Sequence, residues 1–100
     1  MTRTESTQRL LEHALEAARL LFDGTQLDEA EAKAAHGEYG LCAQALVGAL
    51  VASNERLHGA GALALLSAMS EMGMSDRDDE AYWLWLKAQE VLSSDGDQRH

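Results

Sequence analysis

The chain has 100 residues and a mass of 10.9 kDa, with no proline, eight glycines and 46% apolar residues, enough for one hydrophobic core and too little for two. Eight Lys and Arg stand against 17 Asp and Glu, a formal charge of −9, which opposes unaided binding to nucleic-acid phosphates and favours a cationic partner. The length excludes most multi-substrate enzymes.

A lone Cys42 cannot form an internal disulfide, so the chain reads as reduced and cytoplasmic. Met1 to Gln8 is polar and lacks the apolar run of a signal peptide, and no window approaches the roughly 18 apolar residues of a membrane span. The first segment places Leu10, Leu11, Ala14, Leu15, Ala18, Leu21 and Phe22 on one helical face, and Asp23-Gly24 is expected to stop it in a left-handed turn. Thr25 to Asp28 can cap a short second helix, with a thin stripe of Leu27, Ala30 and Ala34 that predicts a surface position. The glycines of His36-Gly37-Glu38-Tyr39-Gly40 break the pattern. A third helix then runs from Leu41 to Ala52, apolar on every side and rich in small residues, which predicts the centre of the bundle.

Asn54 to Gly61 reads as a loop, followed by a fourth helix with Ala62, Leu63, Leu65, Leu66, Met69 and Met72 and a stop at Gly73. The methionines Met69, Met72 and Met74 fit core filling. Ser75 can cap a fifth helix, placing Asp76, Asp78, Asp79 and Glu80 at its positive end and Ala81, Leu84, Trp85, Ala88, Val91 and Leu92 on its core face. Ser93 to His100 is a polar tail expected to fray. No segment alternates with period two, and valine occurs only three times. The expected fold is therefore all-α: one domain over residues 1–100, a compact bundle of four to five short helices around a central apolar helix.

Chemistry is sparse. His13, His36, His58 and His100 lie more than twenty residues apart, outside any zinc-ligand spacing, and the glycines fit neither phosphate-binding motif. Serine lacks a nucleophile elbow, Cys42 sits in an apolar helix that would raise its thiol pKa, and Glu12 with Glu16 fits a solvated helix face. The expectation is a protein that is not an enzyme and carries no cofactor or metal. Charge, by contrast, is organised. Residues 23–38 hold five acids against Lys33, and residues 76–90 hold five against Arg77 and Lys87. If both blocks face one side, they form an acidic surface that steers a basic partner. Trp83 points away from the core-facing Trp85 and offers an aromatic anchor, unless another helix or the tail covers it. The candidate partner-binding residues are Asp28, Glu31, Glu38, Tyr39, Asp76, Asp78, Asp79, Glu80 and Trp83, although His36 to Gly40 also reads as a helix junction with Tyr39 packed on the bundle.

The string His36-Gly37-Glu38-Tyr39-Gly40-Leu41-Cys42-Ala43, set between an acidic short helix and an apolar one, leads to Leu65-Leu66, Met72-Gly73-Met74 and a closing Tyr82-Trp83 with Leu86. Over roughly Leu10 to Leu92 this arrangement resembles the small MafI-like immunity proteins, of the contact-dependent inhibition (CdiI-type) kind, from bacterial competition systems. It departs from that pattern in the glycine-rich His58-Gly59-Ala60-Gly61. The resemblance implies a cytoplasmic, non-enzymatic antidote that binds the C-terminal domain of a cognate toxin, often a basic nuclease, and occludes it, with no direct contact to nucleic acid or membrane. The alternative is a small acidic helical adaptor or nucleic-acid mimic, with a homodimer among its forms. Oligomeric state is left open by the residues.

Overall fold

The computed structural model describes residues 3–22 and 24–92, which form five helices: α1 (Arg3–Arg19), α2 (Asp28–Ala35), α3 (Tyr39–Ser53), α4 (Gly59–Glu71) and α5 (Tyr82–Val91). The all-α bundle expected from the sequence is what forms. The predicted tail, Ser93 to His100, lies outside the described residues.

In α1 the fully buried Leu11, Ala14 and Ala18 and the nearly buried Leu15 keep the predicted spacing. The helix begins well before that apolar run because tertiary contacts hold its first turns. Ser6 Oγ and the buried Thr7 Oγ1 donate to the Glu71 carboxylate on α4, at 2.8 and 3.0 Å. It also ends earlier than predicted. The amides of Leu20 and Leu21 bond back three residues, to Ala17 and Ala18, tightening the last turn and leaving Leu20 88% exposed. Gly24 lies beyond this end, and its neighbour Asp23 is outside the described residues. Leu21 and Phe22 still pack against the core, from the turn rather than from the helix.

α2 buries Leu27 and Ala30 and exposes the rest of its acidic surface, as its thin stripe predicts. No side chain caps it; the expected cap is replaced by a backbone turn from Asp28 N–H to the Thr25 carbonyl. α2, α3 and α4 all stop in the same way. In each, a residue with positive φ (Gly37, Asn54 or Gly73) bonds back three residues, and its successor bonds back five, which satisfies the last carbonyls.

α3 starts at Tyr39, two residues before the predicted Leu41, so Gly40 is helical and lies against the Met74 methyl group. Cys42, Ala43, Leu46, Val47 and Leu50 form its buried face, and it touches all four other helices. The helix is central, as its apolar composition predicts, but one side stays open, where Leu41, Gln44, Gly48, Val51 and Ala52 face solvent.

α4 starts at Gly59, so Gly61 is a buried helical residue and not part of a loop. The reason is close approach. A Cβ built on Gly61 would lie 2.5 Å from Ala17 Cβ of α1. The two helices run antiparallel, joined by Thr7 and Glu71 at one end and by Ala17 and Gly61 at the other. Ala64 and Ala68 take core positions, whereas Leu63 is 66% exposed. α5 is shorter than predicted. Residues 72–81 form consecutive turns, Ser75 caps nothing, and the helix opens at Tyr82 with Leu84 and Ala88 buried. Its far end is clipped to the α3–α4 connection: the Leu57 N–H donates to the Val91 carbonyl and Arg56 Nη1 to the Glu90 carbonyl, with Leu57 and Leu92 pairing as an isolated parallel bridge.

Candidate functional site

α2 and α5 flank α3 on opposite sides. Gln26, Glu29 and Lys33 of the α2 arm share a cavity with Leu41, Ala45 and Ala49, whereas Trp83 and Lys87 of α5 share another with Val47 and Val51. α2 and α5 do not touch each other. The two acidic blocks therefore stand apart, with α3 between them.

Within the α2 block, Asp28 is exposed at the helix start, while Glu31 accepts a 2.6 Å bond from Arg19 Nε and is partly covered. Glu38 lies 3.7 Å from Lys33 Nζ across the turn. Both pairs reach solvent, so they add little to stability, but each answers its carboxylate with a base of the same chain. Tyr39 is half-buried in the first turn of α3 and packs on the core, as a helix-junction residue would.

The second block is not at the start of a helix but in the turns before one. Asp76 Oδ1 accepts the Asp78 N–H at 3.0 Å and the half-buried Asp79 Oδ2 accepts the Ala81 N–H at 2.8 Å, so these two carboxylates shape the loop. Among the described residues, exposed Asp78 and Glu80 carry no side-chain hydrogen bond or ion pair. One turn further on, Trp83 is 53% exposed, the outward position expected of it, while Trp85 is partly buried against the core. The start of α3 meets this segment through Gly40 and Met74, which places Glu38 and Tyr39 at the same end of the bundle. Of the nine candidate residues, Glu38 and Tyr39 thus stand at the start of α3, Asp76, Asp78, Asp79 and Glu80 in the turns before α5 and Trp83 in its first turn, beside Val47 and Val51, while Asp28 and Glu31 lie on α2.

Reasoning from the sequence missed the outer face of α3. Its signal was present: Tyr39 to Ser53 contains no charged residue, yet one side of this helix is open to solvent. A solvated helix face ordinarily carries charge.

Burial pushes the Cys42 thiol up to about 11, so it is held as an inert thiol. Among the described residues no group of His, Cys, Asp and Glu could hold a metal ion, and no helix is long and apolar enough to cross a membrane. The chain matches no family model, no curated protein and no solved structure.

Proposed function

We propose that the protein is an immunity protein: a cytoplasmic, non-enzymatic inhibitor that binds the C-terminal domain of a cognate bacterial competition toxin, a basic nuclease, and covers its nucleic-acid groove. The observation that carries this reading is the unpaired acidic turn at Asp78 and Glu80 beside the half-exposed Trp83, in a chain of net charge −9. Carboxylates with no base of their own steer a cationic surface and pair with its lysines and arginines. An aromatic side chain at their edge supplies the desolvated anchor on which affinity depends. The MafI-like pattern around His36 to Ala43 supports the same reading, since Glu38 and Tyr39 lie at this end of the bundle.

A nucleic-acid mimic would space its carboxylates along one face as phosphates are spaced, and the separation of the two acidic blocks by α3 weighs against it. The test is co-purification with the toxin domain encoded beside this protein, scored for nuclease activity. The expected result is a stable complex that no longer cleaves nucleic acid and cells that survive the toxin. A toxin that stays active in the presence of excess protein would refute the proposal.

A further inference from the structure

We infer that the outer face of α3 is the interface of a homodimer, in which Leu41, Gln44, Gly48, Val51 and Ala52, walled by Trp83, pack against the same residues of a second copy. This inference goes beyond the proposed function and does not rest on it; Trp83 borders both surfaces, so a second copy and the toxin compete for it and the dimer opens before the toxin binds.

Three observations carry it. The first is the mismatch between composition and exposure: a helix apolar on all sides belongs in a fully covered position, and α3, although it touches all four other helices, keeps one side open. Leu41 is 46% exposed and Val51 44%, and between them Gly48 has open space where a Cβ would stand. The face is thus shallow in the middle, with larger side chains at its margins. Such a surface can be self-complementary, because the projecting Trp83 of one copy and the shallow Gly48 region of the other belong to the same patch.

The second observation is charge. The cavities along α3 are bordered by Glu29, Glu55 and Glu90 and by Lys33, Arg56 and Lys87, which cancel. The whole net charge of −9 therefore lies elsewhere on the chain. Lys33 and Lys87 are answered within the chain by Glu38 and Glu90. A cationic partner is drawn to the unpaired acids at the end of the bundle, not to this neutral strip. A second copy meets here a face on which two acidic chains approach with little repulsion, since their excess carboxylates stay outside the contact and are screened beyond about 10 Å.

The third is size. Fifteen helical residues span about 22 Å, and α2 and α5 at interaxial distances of about 10 Å widen the platform to roughly 600 Å² per chain. Two such faces reach the low end of stable interfaces, about 1,200 Å² in total.

Sedimentation velocity on the full chain from about 1 to 200 µM tests this. The weight-average mass is expected to rise from 10.9 kDa toward twice that value, and to do so at lower concentration when salt is raised, because the opposing force is like-charge repulsion. Gly48→Arg is expected to weaken association by about 30-fold or more. Its far-UV circular dichroism should be unchanged, since nothing lies within 4 Å of the added Cβ. Val51→Lys is the second variant, and Leu63→Arg, on the exposed side of α4, should associate like the wild type. A wild-type mass of 10.9 kDa at every concentration overturns the inference, as does a Gly48→Arg or Val51→Lys protein that folds and dimerises normally.

Discussion

Adding the same methyl group at two glycines should change stability in opposite directions. At Gly61 the new Cβ would stand 2.5 Å from Ala17 Cβ, well inside the 3.5 to 4.0 Å at which carbon atoms rest against each other. Ala17 Cβ is fixed to the backbone and cannot swing away, so α1 and α4 must separate by about 1 Å along the most extensive helix pair of the bundle. Overpacking of this kind costs about 1–3 kcal/mol, against which alanine recovers close to 1 kcal/mol of helix propensity. Because both carbons are fixed to backbones, the upper half of that range applies, about 2–3 kcal/mol, and Gly61→Ala should destabilise the fold by about 1–2 kcal/mol net, a loss of roughly 4–16 °C in Tm for a domain of this size. Gly48→Ala enters open space and should stabilise by about 0.5–1 kcal/mol. The assay is urea unfolding followed by circular dichroism at about 1 µM protein, low enough to keep association out of the measurement. Ala17→Gly in the Gly61→Ala background should restore part of the loss, because it removes the opposing atom. A Gly61→Ala protein at least as stable as the wild type would show that α1 and α4 do not cross at these residues.

Glu71 accepts both Ser6 and Thr7 hydroxyls, and Thr7 is buried; Glu71→Ala should cost about 1–3 kcal/mol in urea unfolding by stranding a buried hydroxyl, whereas Glu71→Gln should cost less. Reversing Asp78 and Glu80 to lysine should slow toxin association and leave the loop intact, while reversal of Asp79 should also lower stability, because its carboxylate accepts the Ala81 N–H; stopped-flow association and thermal unfolding separate the two effects. Trp83→Ala should act mainly on the dissociation rate of that complex, measured by competition with excess unlabelled protein. The Cys42 thiol is raised from 9.0 to about 11, so its contribution to stability is complete below pH 9 and is lost as pH rises toward 11, by about 1.4 kcal/mol per unit at most; the difference between wild type and Cys42→Ala in urea unfolding across that range reads it directly.

Helical periodicity was enough to give the class of fold, a count of four to five helices and most of the core, because Leu11, Leu15, Leu46, Leu50, Leu65, Leu84 and Ala88 recur at spacings that bury one face whatever the partner. The turns at Gly37 and Gly73 were legible for a local reason as well: glycine alone takes positive φ there without strain. Most helix starts were not legible. The start of α1 depends on Glu71, 64 residues from Thr7, and Gly61 is helical because Ala17 needs the room, so both are decided by contacts that no local window contains. The candidate site divides in the same way. Composition named the acidic residues and Trp83, but which carboxylates remain unpaired was settled by Arg19 reaching Glu31, Lys33 reaching Glu38 and Asp79 closing its own turn. The apolar nature of α3 is written in the sequence, whereas its open side follows from five helices having only enough surface to cover part of it.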